Sequence, residues 1–145
     1  MGHTDPHWLG LANGTALGRI DEAWVIRRAD GALLAIKDEP IAGLILLERT
    51  PEQVVADLAA GNLVSDRADT LGFLEDFPLA PIVRFAAMSD YWATLALTWA
   101  ERAPSSPALV DALREMEKAG SVSQRNQHRA RSLRQELASR DIARP

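Results

Sequence analysis

The segment from residue 89 to residue 102 constrains the fold most, because it predicts a helix that is apolar on two sides. Ser89 and Asp90 are typical residues for the start of a helix. One stripe of this helix, at 3.6-residue spacing, carries five large apolar side chains: Met88, Tyr91, Trp92, Leu95 and Trp99. The opposite side carries three more apolar side chains: Ala93, Leu97 and Ala100. A helix with two apolar sides needs neighbours on both, so we predict that it lies inside the core.

A β-hairpin is predicted near the N-terminus. Two strand-like runs, residues 22–28 and 32–37, flank the Asp30-Gly31 turn signal. Residues 41–47 fit either a third, buried strand or a short helix, because so short an apolar run has no decisive periodicity. These patterns predict a small antiparallel sheet.

Helices are predicted along most of the remaining chain. Thr50, Pro51 and Gln53 supply an N-cap, a proline at the first helical position and a capping box, which predicts a helix over residues 51–60. Residues 62–77 are expected to begin as a short strand and continue as a helix, and residues 81–87 to form a helical turn. Two more helices are predicted, one from Ser106-Pro107 to Gly120 and a last one from Ser121 or Ser123 to about Ser139. The last helix has a narrow stripe, Asn126, Ala130, Leu133 and Leu137, and nearly all of its other residues are polar or charged.

These elements predict an α+β fold, with a small antiparallel N-terminal sheet packed against a mainly helical C-terminal half. The chain of 145 residues, with 47% hydrophobic and 25% charged residues, has the size and composition of one globular domain. We expect residues 1–18 to be loosely ordered, with Gly10, Gly14 and Gly18 as turn formers. Within that segment, Trp8 either folds back onto the body as an anchor, which we favour, or forms part of an interface.

The residue types that the chain lacks exclude several classes of site. Without cysteine, disulfides, thiolate metal ligands and cysteine nucleophiles are all excluded. The N-terminal residues show neither a positive region nor a long apolar run, so export and membrane spanning are not indicated and a cytoplasmic location is expected. The basic residues are arginine except for Lys37 and Lys118. We interpret this bias as the codon usage of a bacterium with a high GC content.

No catalytic, cofactor or metal signature is present. His3, Asp5 and His7 alternate as metal ligands do, but they lie at a chain end and lack a fourth ligand, so no metal site is predicted. The chain has no Gly-x-Ser-x-Gly motif, and His128 stands among arginines, where we expect it to face solvent. We therefore expect a protein that is not an enzyme and binds no cofactor.

Charge is distributed unevenly along the chain. Residues 1–117 carry 9 basic and 18 acidic side chains, whereas residues 118–145, which include an arginine-rich terminal helix from residue 121, carry 7 basic and 2 acidic ones. A basic helix of this kind pairs with its own acidic body, with another protein or with phosphate, and the sequence leaves these alternatives open.

Two functions of different classes follow from this charge pattern. The first is a bacterial protein-binding domain, such as an immunity protein or antitoxin, whose acidic residues mask a basic partner surface: Asp66, Asp69, Glu75 and Asp76. The alternative is a DNA-binding regulator that uses polar residues of the terminal helix: Arg125, Asn126, Arg129 and Arg131. A small enzyme of unrecognised chemistry is the third reading.

Overall fold

The computed structural model has the predicted α+β architecture and describes residues 7–143, apart from the side chains of residues 141–143. Four antiparallel strands lie side by side in chain order: β1 (Leu9–Gly10), β2 (Ala16–Ile20), β3 (Ala23–Arg27) and β4 (Leu33–Ala35). Two 3-10 helices, Ala12–Gly14 and Pro40–Glu48, belong to the N-terminal part. The helical part follows as α1 (Pro51–Ala60), α2 (Thr70–Asp76), α3 (Leu79–Ala86), α4 (Asp90–Ala100), α5 (Pro107–Met116) and α6 (Gln124–Ala143).

The predicted hairpin is confirmed as β3 and β4. The turn between them is held because the Ala32 N–H donates to Asp30 Oδ1 at 2.9 Å. Gly31 has φ 90°, a left-handed conformation that glycine adopts without a steric penalty. The register pairs Ile26 with Leu34, so both side chains lie on one face of the sheet, where Ile26 is buried in the core and Leu34 is half-buried.

The strand β1 and the first three residues of β2 lie within residues 1–18, the segment for which we expect loose order. A two-residue turn joins β2 to β3, since Ile20 pairs with Ala23. Asp21 and Glu22 form this turn with φ values of 50° and 67°. Such a turn normally carries asparagine or glycine, and without that signal the second hairpin was not predicted.

This turn gives a first stability prediction. Glu22→Gly should raise the free energy of unfolding by about 1 kcal/mol, because a left-handed backbone strains a side chain with a Cβ atom. Urea denaturation of both proteins measures the difference. The control is Glu39→Gly, at an exposed position whose φ is −130°, where the same change should not stabilise. Equal or lower stability of Glu22→Gly would contradict the strain.

Trp8 packs against the sheet, as expected for an anchor. A Cβ atom added to Gly18 would lie 2.6 Å from the Trp8 ring, so the ring occupies the space that only a glycine leaves free. The Arg27 guanidinium lies 4.5 Å from the centre of the same ring, within cation–π distance. Trp8 therefore covers the face of the sheet that carries Gly18 and Arg27.

Residues 41–47 form the helical alternative, as part of the 3-10 helix Pro40–Glu48, and the strand alternative is wrong. The chain leaves the sheet because the Ala35 carbonyl accepts hydrogen bonds from the Asp38 and Glu39 amides, at 3.0 and 2.9 Å. Pro40 then begins the helix. A Cβ atom at Gly43 would lie 2.7 Å from Ile82 Cδ1, so the 3-10 helix packs closely on α3.

Among the helices, α1 has the predicted bounds, with the Thr50 hydroxyl accepting from the Gln53 amide at 3.1 Å. The predicted helix within residues 62–77 is confirmed as α2, but the short strand expected before it is wrong. Residues 62–69 instead form turns, one of them at Asn62 with φ 62°. The predicted turn at residues 81–87 is a full helix, α3, that begins directly after Pro78.

The helix α4 is confirmed, but only part of it lies inside. Ala93, Leu97, Trp99 and Ala100 are fully buried. Tyr91 is 58% exposed and Met88 is 49% exposed, because they lie at the start of the helix and in the turn before it, at the surface. The expectation that the whole stripe is buried is wrong for these two residues, while Trp92 and Leu95 are half-buried and only Trp99 of the stripe is fully buried.

The helices α5 and α6 close the core. The apolar face of α5 is buried in full, and the predicted stripe of α6 is buried as well: Asn126, Ala130, Leu133 and Leu137. Buried residues of the sheet and of all six α-helices belong to one hydrophobic cluster.

Candidate binding surfaces

Arg129 of the arginine-rich helix α6 pairs with the protein's own body. Its guanidinium lies 2.6 Å from a carboxylate oxygen of Glu101, just after α4. It also donates to the Thr94 carbonyl and the Thr98 hydroxyl, both at 3.3 Å. These bonds hold Arg129 along the surface of α4.

Asn126 is buried and joins the start of α6 to the start of α4. Its amide donates to Asp90 Oδ1 at 2.7 Å and to the Thr94 hydroxyl at 2.8 Å. The Ser123 amide donates to the same Asp90 oxygen at 2.9 Å. These donors favour the charged carboxylate, and the Ser123 amide contributes most to lowering the pKa of Asp90. Asn126 is thus satisfied inside the protein.

A bidentate ion pair between Arg134 and Glu117 attaches the middle of α6 to the body. Arg134 donates to both carboxylate oxygens of Glu117, at 2.6 and 3.0 Å. The two side chains are only 19% and 13% exposed. The hydrogen bonds from Arg134 lower the pKa of Glu117, and the same bonds raise the pKa of Arg134. The arginine-rich helix therefore neutralises part of the acidic body.

Arg125, His128 and Arg131 are among the polar residues of α6 that face solvent. Within residues 7–140, neither of these two arginines forms an ion pair. Of the four residues proposed for DNA contact, the structure thus leaves Arg125 and Arg131 available and engages Asn126 and Arg129 in the fold.

The four acidic candidates fall into two pairs at opposite ends of α2. Asp69 is the N-cap residue and accepts from the Gly72 amide at 2.7 Å, and Asp66 lies exposed in the loop before it. Glu75 and Asp76 end the helix. A helix of this length separates the two pairs by about 10 Å.

Asp76 is the most engaged of the four. Its Oδ2 atom lies 2.7 Å from the Arg19 guanidinium and accepts from the Trp24 indole at 3.2 Å. Asp76 and Glu22 also line the same small hollow, beside Lys37. Glu22 was not recognised as a site residue from the sequence, because its turn carries no hairpin signal.

Glu75 is exposed beside an apolar hollow of about 250 Å³. The hollow is lined mainly by apolar residues from the α2–α3 connection and the start of α5, among them Phe77, Leu79, Pro104 and Leu109. Among the residues that the structure describes, Glu75 is the one charged residue that lines this hollow. We call Glu22, Glu75 and Asp76, with this hollow, the acidic surface.

A larger groove of about 430 Å³ lies between the sheet, the longer 3-10 helix and α4, and we call it the sheet–helix groove. Its apolar lining comes from the sheet, the longer 3-10 helix and α4: Ile26, Leu34, Ile41, Ala42, Leu44, Ile45 and Trp92. Its polar lining comprises Asn13, Thr15, Arg28 and Glu48. No short sequence pattern contains these residues, so the sequence did not indicate this site.

Tyr91 and Glu48 meet beside the groove. The Tyr91 hydroxyl donates to Glu48 Oε2 at 2.9 Å, and this hydrogen bond is the main reason that the pKa of Tyr91 is raised. The Tyr91 ring meets the Trp92 ring edge to face, with centres 5.0 Å apart and planes at 81°. One carboxylate and two aromatic rings are therefore grouped together here.

Metal ligands are not grouped in the part of the chain that the structure describes, where no cluster of three histidine or acidic side chains could hold a metal ion. His3 and Asp5, considered from the sequence, lie outside the described residues, and His7 is exposed. None of the helices within residues 7–143 is both long and apolar enough to span a membrane.

Comparison with protein-family models, with curated proteins and with solved structures found no match for this chain.

Proposed function

We propose that this chain is a protein-binding domain whose acidic surface docks on a basic surface of another protein. The observation that carries the proposal is the apolar hollow bordered by Glu75, with Glu22 and Asp76 nearby. An apolar centre with a charged rim is the usual arrangement of a protein–protein interface.

Two of these carboxylates occupy positions that oppose folding. Glu75 lies in the last turn of α2, where the helix dipole disfavours negative charge. Glu22 adopts a left-handed backbone conformation, with φ 67°. Neither residue forms an ion pair within the described part of the chain, whereas Asp76 forms one with Arg19. A role in binding accounts for acidic residues at positions where folding alone favours other residues.

The more detailed form of the proposal is a bacterial, cytoplasmic, non-enzymatic protein of the immunity or antitoxin kind. Such a protein inhibits a toxin by covering its active site, and a nuclease with a basic substrate groove would match the acidic surface. Asp66 and Asp69 extend the negative charge along α2.

The test is the association rate of the chain with a basic protein recovered with it from its source cells. Glu75→Lys should slow association by about tenfold at low salt and much less at 0.5 M salt, because exposed charges steer the encounter and salt screens them. Stopped-flow fluorescence of the tryptophans measures this rate. Glu75 suits the test because, unlike Asp69 and Asp76, it holds no part of the fold together.

The matched control is Asp111→Lys, which changes the net charge equally at an exposed position on α5. This variant should leave the association rate within about twofold of the wild-type rate. Equal effects of the two substitutions, or a rate independent of salt, would contradict docking through the acidic surface.

The DNA-binding alternative is supported by the exposure of Arg125 and Arg131. The protein-binding proposal expects negligible binding of duplex DNA at physiological salt, since Arg129 and Arg134 already pair with the body. A mobility-shift titration with wild type and Arg125→Glu/Arg131→Glu, at two salt concentrations, distinguishes the functions. Salt-sensitive binding abolished by this double substitution would favour the regulator. The variant retains the internal bonds of α6, so a loss of binding would not reflect unfolding.

A further inference from the structure

We propose that the sheet–helix groove binds a small organic cation with an apolar body, and that Glu48, Tyr91 and Trp92 hold its charged end. This site uses none of the residues of the acidic surface. The proposal is therefore independent of the protein-binding function and adds a ligand to it.

The size and lining of the groove fit a small molecule. Its volume of about 430 Å³ falls within the range of ligand pockets, about 300–1,000 Å³. Side chains from the inner face of the sheet and from the 3-10 helix provide the apolar lining, among them Ile26, Leu34 and Ile45. Ligand pockets typically combine such a lining with a few polar groups that orient the ligand.

The charges that line the groove determine the sign of the ligand. Arg28 is 3.3 Å from the carboxylate of Asp30, which compensates its positive charge. Glu48 also lines the groove and, within residues 7–140, belongs to none of the ion pairs. Its hydrogen bond from the neutral Tyr91 hydroxyl orients the carboxylate without cancelling its charge. The groove therefore favours a cation at the Glu48 end.

The aromatic pair strengthens this inference. Trp92 lines the groove and meets Tyr91 nearly at a right angle, so the two rings form a corner beside Glu48. Aromatic faces attract organic ammonium groups, and such corners with a carboxylate are a known means of binding them. The ring of Tyr91 and the side chain of Ile41, a lining residue, are both about half exposed, at 58% and 49%. A ligand with an apolar body would cover part of this surface.

The test titrates the whole chain with three probes of nearly equal size: phenethylammonium, neutral 2-phenylethanol and anionic 3-phenylpropionate. The reporter is the indole N–H signal of Trp92 in the NMR spectrum, assigned with Trp92→Phe. Phenethylammonium should bind about three- to tenfold more tightly than the neutral probe, as expected for a cation–π contact beside a carboxylate. The anionic probe should bind most weakly.

Two variants locate the charge that is responsible. Glu48→Gln should abolish the preference for the cation and retain binding of the neutral probe, because the shape of the groove stays the same. Glu39→Gln, which removes an exposed carboxylate at the start of the same 3-10 helix, should leave the preference unchanged. A preference that persists in Glu48→Gln would overturn the proposal.

Two further results would also overturn it. The first is the absence of a charge preference: either none of the probes shifts the Trp92 signal, or all three bind with equal affinity. The second concerns the source of the cation: a blocked glycine–lysine–glycine peptide that binds more tightly than phenethylammonium would assign the groove to a lysine of a protein partner.

Discussion

Trp99→Ala should lower the free energy of unfolding by about 3–5 kcal/mol, a large part of the stability of a domain of this size. The Trp99 side chain is fully buried at the centre of the core. Its ring centre lies 5.8 and 6.3 Å from those of Phe77 and Phe73. Its indole N–H also donates to the Arg49 carbonyl at 2.8 Å. Alanine would leave a cavity and remove this hydrogen bond at the same time.

The contributions of the cavity and of the hydrogen bond can be separated. Trp99→Phe keeps most of the aromatic packing and loses the indole donor, so it should destabilise by about 1–3 kcal/mol, less than the alanine variant. Tyr91→Ala is the control, since it removes a largely exposed ring from the same helix. Urea denaturation measures all three. A Trp99→Ala variant as stable as Tyr91→Ala would contradict the central position of Trp99.

Helices were predictable from this sequence where their first residues carry the signal. The hydroxyls of Thr50, Ser89 and Ser106 each accept from a backbone amide three residues ahead, as their local pattern predicts. The β3–β4 hairpin was also predictable from a local signal, the Asp30-Gly31 turn. These signals depend on neighbours in sequence alone, so tertiary contacts are not needed to recognise them.

The β2–β3 hairpin and the binding surfaces depend on tertiary contacts. Asp21-Glu22 forms a tight turn against its backbone preference, because the strands on either side bury Leu17 and Ile26 in the core. The sheet–helix groove brings Arg28 and Glu48 together from separate elements. Among the acidic candidates, only the structure distinguishes the free Glu75 from Asp69, which caps a helix. The sequence shows which residues are charged, but it does not show which of them form hydrogen bonds or ion pairs within the fold.

The attachment of α6 to the body gives the second large effect. Arg134→Leu should lower the free energy of unfolding by about 2–3 kcal/mol, because it leaves Glu117 nearly buried without the two hydrogen bonds that satisfy its carboxylate. Arg140→Leu is the matched control, since Arg140 pairs with Glu136 on the exposed side of the same helix. An exposed pair of this kind contributes about 0.3–0.5 kcal/mol. Equal effects of the two substitutions would contradict the role of burial.

The same ion pair should make part of the stability depend on pH. Arg134 lowers the pKa of Glu117 in the folded protein, so the stabilisation is present above the ordinary pKa of 4.5 and is lost as the pH falls further. The stability difference between wild type and Glu117→Gln should therefore be constant from pH 7 to about pH 5 and decrease below that. Urea denaturation at a series of pH values measures it. A difference that stays constant down to pH 2.5 would mean that the charge of Glu117 does not contribute to holding α6 on the body.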